Sequence, residues 1–271
     1  MTSGSLGAQA RRAADSSALE MVARAGYAVS GLLHLLIGGI AVRLATGSGG
    51  QSADQSGALA QVAAQPFGRV VLWVGVVGFA ALGLSQLGEA VWGGRGGDRT
   101  DRTKQVGKTG GKAVVYLALS VSTLSFARGA SNSSSKQSSD VTATLLQSGG
   151  GRVLVMAIGL VVVGVGGYHM VKGARKKFLA DLAGNAGGDV GRAVVRIGQV
   201  GYLAKGVALI VVGVLFVVAA VQADPSQARG LDGALTTLGR QPGGPVLLVL
   251  VGIGFVGYGL YSFARARYAR M

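Results

Sequence analysis

The sequence predicts an all-α polytopic membrane protein: six transmembrane helices as three tandem helical hairpins with pseudo-three-fold symmetry, and short outer-surface helices in the loops. Three observations predict it. Six long apolar runs divide the chain, the basic residues gather in alternate connections, and one set of motifs recurs three times. Composition agrees. Of 271 residues 49% are apolar and only 14% charged, about half the charged share of an average soluble domain.

The apolar runs lie at about 25–42, 70–91, 113–127, 153–171, 206–223 and 245–263. A helix rises 1.5 Å per residue and the hydrocarbon core is about 30 Å thick, so about 20 residues are needed to cross it. Five runs reach that length. The third, between Lys112 and Arg128, is shorter and crosses only if those two side chains snorkel to the interfaces. Buried strands are ruled out by length, and a helix apolar all round lies in a large core or a bilayer. Six such helices leave too little polar sequence to wrap a soluble core.

In chain order, residues 1–22 form a cytoplasmic N-terminal tail and do not read as a cleaved signal peptide, because no small-residue cleavage site follows the first run. Repeat 1 occupies 23–92, a basic inner loop 93–110, and repeat 2 111–173. A second basic inner loop occupies 174–196, repeat 3 197–264, and a basic C-terminal tail 265–271. With both termini inside, nineteen of the 26 basic residues fall on the inner side. Positive residues are retained on the cytoplasmic side during insertion. The expected location is therefore the cytoplasmic (inner) membrane, with N- and C-termini cytoplasmic. The same clusters attract anionic phospholipid headgroups at that face of the lipid bilayer. The net charge of +15 does not read as nucleic-acid binding, because the basic residues sit in separate clusters between apolar runs. Cysteine is absent, which excludes disulfides, thiolate metal sites and a thiol nucleophile.

The repeats are visible in the letters. "GYAVSG" (26–31) matches "GYLAKG" (201–206), and "SGALAQVAAQPFGRVVLWVG" (56–75) matches "DGALTTLGRQPGGPVLLVLVG" (232–252). A more divergent copy is "DVTATLLQSGGGRVLVMAIG" (140–159). Each unit runs span, outer loop with a short helix, span, inner segment, so all three insert the same way up, as parallel repeats do. In the third outer loop Asp224 and Pro225 read as a helix start. Leu231, Leu235 and Leu238 then share one face, as Leu59 and Val62 do in the first. All four prolines lie in or beside these outer segments. The glycines of the even-numbered spans form no single stripe, which predicts close packing on more than one side.

These features resemble one family, the bacterial membrane proteins described as domain of unknown function 1206. The residues that carry the resemblance are the "GYAVSG" and "GYLAKG" openings, "GKAVVYLAL" (111–119), and the "QPFGR" and "QPGGP" turns before the even-numbered spans. It covers nearly the whole chain from about residue 23. The resemblance implies a three-repeat, six-span architecture and implies no activity.

Candidate chemistry is sparse. His34 falls near the middle of the first span, where polar groups are costly and often functional. A neutral imidazole hydrogen-bonded to a neighbouring helix is the plainer reading. His169 sits near the inner interface, about 10 Å away in depth by helical rise, too far to share a haem or metal ion with His34. No metal-ligand motif, catalytic set or cofactor site is evident. Lys205, at the inner end of the fifth span, is expected to snorkel. Overlaying the repeats on Gly68, Gly151 and Gly244 aligns Gln86, His169 and Ser262. Three residues on come Glu89, Lys172 and Arg265. These six positions read either as a polar mouth with internal ion pairs or as the ordinary polar ends of spans, with Tyr168 and Tyr261 as interfacial anchors.

Three functions are compatible with this reading. A non-enzymatic scaffold or accessory subunit, with a membrane-protein partner or self-association, fits unbroken spans and the missing reactive constellation. A transporter or channel for a small solute or lipid along the pseudo-axis is the alternative, though broken helices and midplane charges are absent. A lipid-directed enzyme lacks a nucleophile and a partner for His169.

Overall fold

In hydrocarbon every backbone polar group must be satisfied internally, which helices do. The computed structural model describes residues 17–92, 99–130, 132–182 and 188–269. The expected N-terminal tail up to residue 16, the loop segments 93–98 and 183–187, and the last two residues of the C-terminal tail lie outside the described residues. Among the described residues every element is an α-helix or a 3₁₀ turn, and no strand occurs. In chain order the helices are α1 (Ser17–Ala45), α2 (Gln55–Ala63), α3 (Gly68–Trp92), α4 (Arg99–Ala127), α5 (Ser134–Leu146), α6 (Gly151–Ala174), α7 (Gly188–Gln222), α8 (Gly230–Gly239) and α9 (Gly244–Tyr268).

The six long helices contain segments long and apolar enough to cross a membrane: Glu20–Ala45, Gly68–Val91, Gln105–Ala127, Gly151–Ala174, Gly191–Gln222 and Gly244–Tyr268. The third is not short. Its helix begins well before the apolar run, through Gln105, Lys108 and Lys112, and buried Thr109 donates its hydroxyl to the Gln105 carbonyl at 2.9 Å. Hydropathy alone hides these polar first turns.

Short helices close the connections on one end of the bundle, the loop end. Asp54 caps α2, accepting from the Gly57 N–H at 3.0 Å, and Ser133 caps α5. Asp224 and Pro225 start a 3₁₀ turn, Pro225–Gln227, and α8 begins only at Gly230. Leu59, Val62 and Leu235 are buried, and Leu231 and Leu238 pack beside them, so these helices cover the bundle with their apolar faces. Gly243, at φ +74°, turns the chain into α9, where Pro245 occupies the first turn. A left-handed residue there suits glycine.

The closest helix pairings are out of phase with the repeats. α3 packs on α4, α6 on α7, and α9 on α1, each pair joining one repeat to the next around the bundle. α4 and α6, the two spans of the second repeat, hardly touch. Glycine sets two of these pairings. A Cβ on Gly38 would lie 2.5 Å from the Gly252 carbonyl oxygen, and one on Gly31 2.9 Å from that of Gly259. In the α6–α7 pair the equivalents are Gly213 at 2.6 Å from Gly159 and Gly206 at 2.8 Å from Gly166. Small residues let backbones approach this closely, which is how helices associate in lipid. In the α3–α4 pair one such contact is replaced by a hydrogen bond, Ser120 Oγ donating to the Val76 carbonyl at 2.9 Å. Other glycines face other neighbours: Gly78 meets Gly26 of α1, while Gly257 meets Ile197 of α7.

At the opposite end, the basic end, the first and last spans are tied together. Arg24 pairs with Glu20 at 2.5 Å and donates to the carbonyls of Ala266 and Arg267. An antiparallel bridge joins Leu182 to Ala269.

Candidate functional site

The basic end holds a cluster of cations and aromatic rings drawn from five of the six long helices. It begins in α1. The His34 ring lies beside Tyr258 (4.7 Å between centroids) and Phe255 (6.0 Å) of α9. Its Nδ1 is 2.8 Å from the Ser30 carbonyl, so that nitrogen carries the proton and Nε2 is left as an acceptor. Lys205 of α7 supplies the donor at 3.4 Å, with its Nζ 4.2 Å from the Tyr258 ring centre. Lys205 therefore turns inward to a ring and an imidazole, where the sequence predicts an ammonium reaching out to the interface. The reason is geometric: α7 lies against α9, and Tyr258 offers the ammonium a cation–π face.

The overlaid residues separate. His169 on α6 bonds its own helix, Nδ1 to the Val165 carbonyl at 2.8 Å, and stacks on Tyr202. Ser262 is buried and donates to the Tyr258 carbonyl. Gln86 is half-buried, and its Oε1 has no partner among the described residues. Glu89 is exposed and, among the described residues, accepts a long bond, 3.5 Å, from Gln105. Glu89, Lys172 and Arg265 make no ion pair with one another. Lys172, 8% exposed, pairs instead with Asp181 at 2.6 Å, in the 3₁₀ turn (Lys177–Asp181) after α6. Arg265 donates to the Tyr27 hydroxyl at 3.0 Å and lies over that ring. Tyr261, one of the expected interfacial anchors, is 1% exposed and donates to the Phe178 carbonyl at 3.0 Å, inside an aromatic group with Tyr202 and Tyr258. Tyr168 is exposed.

Asp181 is the carboxylate that the repeat overlay misses, because it comes from a connection with no counterpart in the motif. Burial pushes its carboxyl up, but Arg265 and Lys172 outweigh that and hold it below the usual carboxylate value. Among the described residues, no three histidine or acidic side chains stand close enough to hold a metal ion.

A second polar network, also missed, lies at the loop end. Asp54 (3% exposed) accepts from Ser56 Oγ at 2.6 Å and from Ser135 Oγ of α5 at 3.0 Å. Asp232 accepts from the Ala53 N–H at 2.9 Å and pairs with Arg229 at 2.8 Å. These bonds fasten the three short helices to one another. A signal was present: Ser56-Gly57-Ala58-Leu59 and Asp232-Gly233-Ala234-Leu235 place a polar residue at the same point of two repeats. A cavity of about 290 Å³ opens beside this network, lined by Gln137, Thr142, Val155, Ile158 and Phe216 among others. Its walls come from α5, α6 and α7, with nothing from α1, α3, α4 or α9, so it flanks the bundle and does not run through its middle.

The family described as Domain of Unknown Function (DUF1206) matches three times, over residues 25–93, 108–176 and 200–269. An uncharacterized protein of Bacillus subtilis (strain 168), YxxB, is 26% identical over 257 residues, which cover 92% of this chain and 90% of that protein. No solved structure matches.

Proposed function

The chain belongs to the DUF1206 family, as a multi-pass membrane protein of three tandem units, and from that premise we propose that it is a non-enzymatic scaffold or accessory subunit of the cytoplasmic membrane, with both termini on the cytoplasmic side. One observation carries the reading. α6 is the span least covered by its own chain: 17% of its apolar window is buried, against 56% for α9. Its uncovered face includes Gly164 and Gly167, where a Cβ would meet nothing within 4 Å. Small residues on a membrane helix admit close approach by another helix. The partner is a second membrane helix, from another protein or from another copy.

A transport path along the middle is less well supported. Tyr27 and Tyr116 meet edge to face between α1 and α4, Phe255 and Tyr258 flank His34, and the helices are unbroken.

The test replaces open space with bulk. Gly164→Leu and Gly167→Leu leave the internal packing untouched and fill the outer face of α6. Protein extracted in mild detergent from its own membrane is sized by native gel and mass photometry. The wild type is expected to run as a complex, and the variants as the single chain with thermal stability not lowered. A wild type that is monomeric and free of associated protein, or a complex indifferent to both substitutions, refutes the reading.

A further inference from the structure

Three cations and one carboxylate share the basic end. Lys172 (α6) pairs with Asp181 at 2.6 Å. Arg265 (α9) and Lys112 (α4) also lie within electrostatic range of Asp181, and Lys112 within range of Lys172, Arg265 and Lys108. Lys172 is buried, and Lys112 and Arg265 are half-buried. A single carboxylate cannot neutralise this set, and withdrawing uncompensated charge from water is costly. Donor capacity is left over too. Arg265 Nε is buried with no partner among the described residues, and no hydrogen bond or ion pair holds the Lys112 ammonium there.

We propose that Lys112, Lys172 and Arg265 form a binding site for a phosphate-bearing anion at the basic end of the bundle. A phosphate group carries one to two negative charges, which matches the uncompensated excess. Its oxygens suit a guanidinium and flanking ammonium groups. The three cations come from three different helices, so the anion ties together α4, α6 and α9. Two sources offer this chemistry: the phosphodiester headgroup of an anionic lipid in the adjacent leaflet, or a free phosphate compound from the aqueous side. The site differs from general attraction of basic loops to a charged surface, since Lys172 is buried and Lys112 and Arg265 are half-buried within helices of the bundle. It does not depend on the scaffold reading.

The experiment uses the full chain in nanodiscs of phosphatidylglycerol and phosphatidylcholine. Retained lipid is read by native mass spectrometry, and inorganic phosphate is titrated as competitor. The wild type is expected to retain phosphatidylglycerol in preference to phosphatidylcholine, or to bind inorganic phosphate directly. Lys112→Gln, which breaks no hydrogen bond, weakens whichever ligand binds about tenfold, as loss of one charged partner does. Asp181→Asn removes the competing carboxylate and tightens binding, a direction opposite to that of a folding defect. Displacement by inorganic phosphate identifies the free anion as the ligand. Lipid retained in its presence identifies the headgroup. Binding of neither ligand, or an Asp181→Asn variant that binds no better than the wild type, overturns the assignment.

Discussion

The adjacent pair Gly38 and Gly39 gives the sharpest test of how the bundle is held. A Cβ at Gly38 would stand 2.5 Å from the Gly252 carbonyl oxygen and 2.9 Å from the Val256 nitrogen, both main-chain atoms of α9. Neither can rotate away, so relief requires α1 and α9 to part by roughly 0.9 Å, and overpacking of this kind costs about 1–3 kcal/mol. At Gly39 a Cβ meets nothing within 4 Å. Both positions lie inside one helix, so alanine brings each the same gain in helix propensity, about 1 kcal/mol. The difference between Gly38→Ala and Gly39→Ala therefore isolates the clash. At about 2–4 °C per kcal/mol for a chain of this size, Gly38→Ala should melt roughly 2–12 °C below Gly39→Ala. The assay is thermal unfolding in detergent, followed by the loss of the monodisperse peak in gel filtration. Equal midpoints, or a lower one for Gly39→Ala, would show that the α1–α9 contact is not what the glycines serve.

Four further outcomes are expected. Gly213→Ala, whose Cβ would lie 2.6 Å from the Gly159 carbonyl oxygen, lowers the melting point relative to Gly164→Ala, where a Cβ meets nothing within 4 Å and the gain in helix propensity is unopposed. Asp54→Ala frees the α2 cap and the Ser135 hydroxyl, costs about 1–3 kcal/mol, and speeds amide exchange in α5 more than in α6. Asp181 has a lowered folded-state pKa, so its stabilising pairing is fully present above the ordinary carboxylate value of about 4 and is lost as pH falls through the lower folded-state value; acid melts of wild type and Asp181→Asn should converge there. Sidedness is open to direct labelling because cysteine is absent: a membrane-impermeant maleimide should reach Gln51→Cys from outside intact cells and reach Lys177→Cys only after lysis.

The spans were legible because hydrocarbon imposes a length and a composition, and both are properties of contiguous sequence. The polar start of α4 was not, since Gln105, Lys108 and Lys112 lower the hydropathy of turns that remain helical. The many-sided glycines announced close packing, but not which helix each one meets, because the pairing runs between repeats and no letter records it. The overlay located Lys172 and Arg265. It could not find Asp181, Tyr27 or Lys205, which reach them from other elements at unrelated positions. Asp54 and Asp232 stayed hidden among polar loop residues, where a buried carboxylate and a solvated one look alike.

The pairing of α9 with α1 has a consequence for biosynthesis. Of the six long helices the ribosome delivers α1 before the other five and its principal neighbour, α9, after them, so Gly31 and Gly38 face lipid until α9 has been inserted. A chain stalled or cut before α9 leaves that glycine surface open to a foreign helix, and such unfinished products should be preferred substrates for membrane quality-control proteases.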